Sequence, residues 1–140
     1  MRQINQIILH HSLTADNQTV SWNAIRHYHT IDRGWKDIGY HYGIELINDR
    51  YEILVGRHLT VTGAHTKGHN LDSIGICFVG NFDITEPPLE QWIQGVALVR
   101  SLLEVFRLTP DDVYGHRVFA DKSCPGNLFN MDKFRNLLRV

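Results

Sequence analysis

Three residues of this chain carry donors that can act together on a metal, although they lie far apart in sequence. His10 stands at the end of the apolar run Ile7-Ile8-Leu9, and His116 follows Val113-Tyr114-Gly115. Cys124 lies in the polar loop Asp121-Lys122-Ser123-Cys124-Pro125-Gly126. Imidazole nitrogen and thiolate sulfur suit zinc, and a catalytic zinc takes three protein ligands while leaving a fourth position for water. The spacing alone is weak evidence, since His-x7-Cys is neither a CxxC knuckle nor an HExxH helix. On spacing alone, two capping histidines and a free thiol are the better reading. A Cys/His nucleophilic hydrolase is a further reading, because both residue types are present.

The remaining histidines and the other cysteine have blander readings. Of nine histidines, His27, His58 and His69 are expected on the surface. Cys77 sits in Ile74-Gly75-Ile76-Cys77-Phe78-Val79 and reads as a small buried core residue. With two cysteines in 140 residues, no disulfide staple is expected.

These residues need rigid elements to bring them together. Ile4 to His10 reads as a buried central strand, because its apolar residues are continuous rather than alternating. Thr19 or Ser21 can cap a helix through Trp22, Ile25, Tyr28 and His29, with Gly34 ending that region. Tyr40 to Ile47, the turn Asn48-Asp49-Arg50 and Tyr51 to Val55 form a hairpin pattern. Gly63 to Asn70 is a polar, glycine-bounded loop, and Ser73 to Val79 is a second buried strand. Leu89, Trp92, Ile93, Val96, Val99, Leu102, Leu103 and Phe106 recur at helical spacing after Pro87-Pro88, which marks the longest helix. Val113 to His116 is a short last strand, and Asn130 can cap a terminal helix carrying Phe134, Leu137 and Leu138. This order predicts an α/β fold, a central mixed β-sheet flanked by α-helices, in a single domain over residues 1–140.

Composition narrows the function classes. The chain is 43% hydrophobic and 21% charged with a formal net charge of -1, so it lacks the basic excess of a nucleic-acid binder. The N-terminal Met1-Arg2-Gln3-Ile4-Asn5-Gln6 lacks the apolar stretch of a signal peptide, and no run approaches the roughly 18 apolar residues of a membrane span. A protein synthesised in the cytoplasm without a signal peptide is expected, with no nucleic-acid or membrane partner and a monomeric state. Action outside the cytoplasm would then need another factor.

Five segments, in order, resemble one family. Ile8-Leu9-His10-His11-Ser12 resembles the opening of the type-2 N-acetylmuramoyl-L-alanine amidases, the group of the T7-type phage lysozymes and peptidoglycan recognition proteins. Gly34-Trp35-Lys36-Asp37-Ile38-Gly39-Tyr40-His41-Tyr42 is similar to that family's G-W-x-D-I-G-Y-H-F segment. Gly63-Ala64-His65-Thr66-Lys67-Gly68-His69-Asn70 is similar to its G-A-H-x-x-G-x-N loop, and Ser73 to Gly80 to the S-I-G-I-x-x-x-G strand after it. Gly115-His116 with Lys122-Ser123-Cys124-Pro125 resembles the last motif, H-x5-K-x-C-P.

The resemblance implies a zinc-dependent hydrolase that cuts the amide between the lactyl group of N-acetylmuramic acid and L-alanine of the peptidoglycan stem peptide. It implies Zn2+ held by His10, His116 and Cys124, and catalytic roles for Tyr40 and Lys122 outside the metal shell. Amide hydrolysis needs an activated water and relief for the oxyanion that forms. Lys122 can donate to that oxygen, and Tyr40 can orient the water or the leaving nitrogen, with the division of roles left open. The resemblance puts the loop of His65 and Asn70 beside the substrate, although Asn70 reads first as a turn residue fixing its own backbone. Trp35 and Tyr42 can wall the cleft but read first as core. His11 alternates to the opposite strand face from His10 and reads as a structural hydrogen-bonder. The expected biology is a phage or prophage endolysin that reaches the cell wall after release. A cytoplasmic enzyme acting on muropeptides, a non-catalytic peptidoglycan-binding domain and a structural-zinc domain are the alternatives.

Overall fold

The continuous apolar run at the start of the chain becomes the middle of a sheet. The computed structural model describes residues 1–14 and 22–140. Strand β1 (Gln6–His11) pairs in parallel with β4 (Ser73–Phe78) on one side and with β5 (Val113–Gly115) on the other. Strand β2 (Tyr42–Ile47) runs parallel to β4 and forms an antiparallel hairpin with β3 (Arg50–Val55), which gives the order β3-β2-β4-β1-β5. Asn48 turns the hairpin at φ 59, a left-handed conformation that asparagine tolerates. The mixed α/β sheet expected from the sequence is therefore present.

Covering layers explain why β1 and β4 are apolar at successive positions. Helix α2 (Leu89–Phe106) buries Trp92, Val96, Val99, Leu102 and Leu103, a stripe at three- and four-residue intervals. With helix α3 (Met131–Leu138) it covers one face, where Ile7, Leu9, Ile74, Ile76 and Phe78 form the main core. Gly95 of α2 faces the Phe78 ring, where a Cβ would overlap it, so the helix lies close to the sheet. Asn130 caps α3 as expected, its side-chain oxygen accepting from the Lys133 N–H at 3.0 Å. On the other face a smaller cluster of Trp22, Ile38, Cys77 and Val79 packs with Tyr40 and Ile25. Trp22 and Ile25 belong to helix α1 (Trp22–His27).

The structure moves several expected boundaries. Strand β1 starts at Gln6 rather than Ile4, although Ile4 is still buried in the core. The first helix passes into a π-helical turn, Tyr28–Asp32, and Gly34 at φ 70 ends it. The expected caps Thr19 and Ser21 lie outside the described residues. Tyr40 precedes β2 instead of opening it, because its carbonyl accepts from Arg57 N–H while the Gly39 N–H bonds to His29 Nδ1. His116 leaves β5 and begins a 3-10 turn, His116–Val118. Tyr42 packs on the main core, and Cys77 is fully buried, both as read. His27 and His58 are exposed, but His69 is half-buried with its ring centroid 4.0 Å from that of Phe119. Among the described residues no helix is long and apolar enough to cross a membrane.

Candidate metal centre

Strand pairing brings the two histidines together. Leu9 of β1 lies beside Gly115 of β5, so the next residue facing away from α2, His10, meets His116 just past the strand end. Their ring centroids are 4.6 Å apart at 51°. His10 is 2% exposed and His116 half-buried.

Cys124 is returned to them by a loop pinned from two sides. The Arg117 backbone N–H donates to the Cys124 carbonyl at 2.7 Å. The Arg117 guanidinium donates to the carbonyls of Ser123, Gly126 and Phe129 at 3.4, 2.8 and 3.2 Å. From the opposite side the Asp83 carboxylate accepts from Asn127 N–H at 2.8 Å and from Ser123 Oγ at 2.9 Å. Those two donors, the backbone one foremost, hold Asp83 below its ordinary carboxylate value. The His11 backbone N–H points at Cys124 Sγ, 3.4 Å away, while its ring faces the other way and accepts from Phe82 N–H at 3.1 Å.

The donor atoms converge. Among the described residues, one ligand atom each from His10, His116 and Cys124 lies within 4.8 Å of the others, and His10 Nδ1 is 3.7 Å from Cys124 Sγ. Bonds of roughly 2.0 to 2.3 Å at tetrahedral angles separate such donors by about 3.3 to 3.6 Å, so a small inward adjustment would suit zinc.

Electrostatics favour the same occupant. Burial, followed by the neighbouring histidines and then Lys122, pushes His10 well below the ordinary imidazole value, and burial followed by Lys122 lowers His116. Both rings are therefore neutral near pH 7 and keep a lone pair for a cation. Burial pushes the Cys124 thiol up to about 11, against the opposing pull of the His11 N–H and of Lys122. A thiol so placed is a poor nucleophile by itself, whereas a bound dication would stabilise its thiolate. Two neutral imidazoles and a buried thiol raised to about 11, although His10 Nδ1 lies 3.7 Å from it, fit zinc better than a Cys/His nucleophile, which needs a thiolate near neutral pH.

Tyr40 and Lys122 complete the surroundings. The Tyr40 ring lies 5.2 Å from that of His10, backed by Trp22 at 6.2 Å and His29 at 5.7 Å. Burial raises its hydroxyl well above the ordinary tyrosine value, followed by the effect of the two cysteines, and the hydroxyl is hydrogen-bonded to Cys77. Near neutral pH Tyr40 is therefore a proton-bearing donor. Lys122 is exposed, and its charge opposes protonation of both His10 and His116. Trp35 is half-buried at the edge of this region, against His29 at 4.6 Å and beneath the Arg33 guanidinium at 5.1 Å.

Of the G-A-H loop, Asn70 turns inward: its side-chain oxygen accepts from the N–H groups of His65 and Thr66, both at 2.8 Å. His65 Nδ1 lies 2.9 Å from His10 Nε2. Of the supporting residues, Asp83, Arg117, Thr66 and Ser73 have no individual reading from sequence, and Cys77 reads there only as core. Only β4 carried a signal, since Ser73, Gly75 and Cys77 alternate onto the face of His10, which pairs with Cys77. Asp83 and Arg117 act on a loop 40 residues and six residues away, respectively, at contacts no local pattern encodes.

Residues 1–127 match the family model described as N-acetylmuramoyl-L-alanine amidase. The endolysin of Escherichia phage T7 is 39% identical over 127 residues, which cover 85% of this chain and 78% of the phage protein. Peptidoglycan-recognition protein LB of Drosophila melanogaster is 32% identical over 129 residues, covering 86% of this chain and 53% of that protein. Among solved structures, the N-acetylmuramoyl-L-alanine amidase LysC from Clostridium intestinale superposes with a TM-score of 0.88 at 29% identity, covering 99% of this chain and 87% of that one.

Proposed function

Since this chain belongs to the N-acetylmuramoyl-L-alanine amidase family, we propose that it hydrolyses the amide between the lactyl group of N-acetylmuramic acid and L-alanine of peptidoglycan, with zinc held by His10, His116 and Cys124. The observation that carries this reading is the convergence of those three donors within 4.8 Å, beside Tyr40 and near the Lys122 cation. Zinc bound there would supply Lewis acidity toward a substrate carbonyl and a water.

The chain's own groups divide the remaining work. Lys122, solvent-exposed, meets the carbonyl oxygen and donates to it as negative charge develops. Tyr40, held protonated and walled by Trp22 and His29, offers a fixed hydroxyl that orients the attacking water or the leaving nitrogen. Trp35 borders the stem peptide, as do His65 and Asn70 through the loop they shape. Residues 1–140 work as one domain on peptidoglycan, as a phage-type lysin that reaches the wall after release.

The test is a pair of substitutions on the zinc-loaded protein. Lys122→Ala and Tyr40→Phe should each lower kcat on purified cell wall by about 10²- to 10³-fold while zinc content stays at one per chain. Loss of zinc in either variant would move that residue into the metal shell. Unchanged kcat in both would leave the chain as a wall-binding domain or assign the catalysis elsewhere.

A further inference from the structure

The nitrogen of His10 that faces away from the metal donors is not left to solvent. His10 Nδ1 is aimed at Cys124 Sγ, so it must be bare to accept a cation, and the proton of the neutral ring then sits on Nε2. That Nε2 lies 2.9 Å from His65 Nδ1 and 3.3 Å from Thr66 Oγ1. For His65 Nδ1 to accept, its own proton must sit on Nε2, which faces Ser73 Oγ at 3.2 Å. With His10 Nδ1 bare for a cation, the chain from Cys124 through His10 and His65 to Ser73 takes one set of tautomers, each ring donating from Nε2.

The backbone around His65 is built to hold that ring. Its N–H and that of Thr66 are both fixed by Asn70. Gly75 of β4 leaves the space that the ring occupies: a Cβ there would lie 2.5 Å from His65 Cγ and Cδ2. A Cβ on Gly63 would lie 2.7 Å from His65 Cδ2. The two rings meet edge to face, 4.9 Å apart at 86°.

From this geometry we infer that His65 is a positioning residue: it fixes the Nε2–H tautomer and the ring orientation of His10, and so presents Nδ1 to the metal. Ser73 and Gly75 serve His65 in turn, which gives the G-A-H-x-x-G-x-N loop and the S-I-G strand one shared purpose. The inference rests on the proposed metal centre. Partners of this kind raise the basicity of a ligating imidazole, and their loss typically weakens metal binding about 10- to 100-fold.

The experiment titrates zinc alone into the 140-residue chain against a competing chelator, without substrate. His65→Ala should weaken zinc binding about 10- to 100-fold, and Ser73→Ala by less. His65→Asn, whose side-chain oxygen can stand where Nδ1 stood, should recover most of the affinity. In the zinc-loaded wild type, 15N chemical shifts of the imidazoles should report both His10 and His65 protonated at Nε2, a readout that needs no variant to fold. Wild-type affinity in His65→Ala, or a His65 ring protonated at Nδ1 in the zinc-loaded protein, would overturn the inference while leaving the zinc reading intact. If wild-type zinc binding is indifferent to Cys124→Ser, the metal centre itself fails and this inference falls with it.

Discussion

A thiol with a pKa of about 11 stays protonated in neutral water, so the role of Cys124 depends on what it is given to bind. Cys124→Ser keeps the size of the side chain but offers a hydroxyl that ionises far less readily. We expect it to release zinc and to abolish wall hydrolysis together, measured as metal content after dialysis and as activity. Activity persisting in zinc-free Cys124→Ser would contradict the metal role. The three donor residues were legible in the sequence only through surrounding motifs, because His-x7-Cys has no spacing signature of its own. Their partners were less legible. Asp83 and Arg117 hold the Cys124 loop by contacts with carbonyls and N–H groups, which any sequence offers equally.

Periodicity settles most of the elements, and the site follows from their register. The alternation of β4 assigns Ser73, Gly75 and Cys77 to one face and Ile74, Ile76 and Phe78 to the core. That split was available from sequence once the strand was recognised; the register that puts Cys77 beside His10 was not, since it is fixed by tertiary pairing. The ends of elements were least legible. The Tyr40 segment and the turn at His116 are shaped by long-range backbone bonds, to Arg57 and Cys124 respectively. Two outcomes belong to this scale. Gly75→Ala should drive the His65 ring from its seat and reduce zinc affinity, seen in the same chelator competition. Asn130→Ala removes the cap of α3 and should cost about 1 kcal/mol of stability by urea denaturation while leaving zinc affinity unchanged. A zinc defect in Asn130→Ala would tie α3 to the site in a way this geometry does not provide.

Across the whole molecule, several histidines are kept neutral by burial. His41 is fully buried, accepting from Gly75 N–H at 3.1 Å and donating from Nε2 to the Val61 carbonyl at 2.8 Å, and burial lowers it to about 4. Its folded value lies below its unfolded one, so its contribution is present above pH 6.5 and is lost as pH falls toward 4. For His41 alone the full loss is about 3 kcal/mol. His10, His11, His29, His65 and His116 are shifted in the same direction. The urea midpoint of the zinc-free protein should therefore fall between pH 7 and pH 4.5, and a flat or rising midpoint would contradict the neutral-histidine account. Saturating zinc should raise the thermal midpoint by mass action, an effect that Cys124→Ser should remove.

The central claim concerns which bond is cut. Purified cell wall digested with the zinc-loaded protein, with the products separated and weighed, should yield free stem peptides carrying new L-alanine amino termini and glycan strands with no new reducing ends. Reducing ends without L-alanine termini, or no soluble product at saturating zinc, would contradict an amidase built on His10, His116 and Cys124.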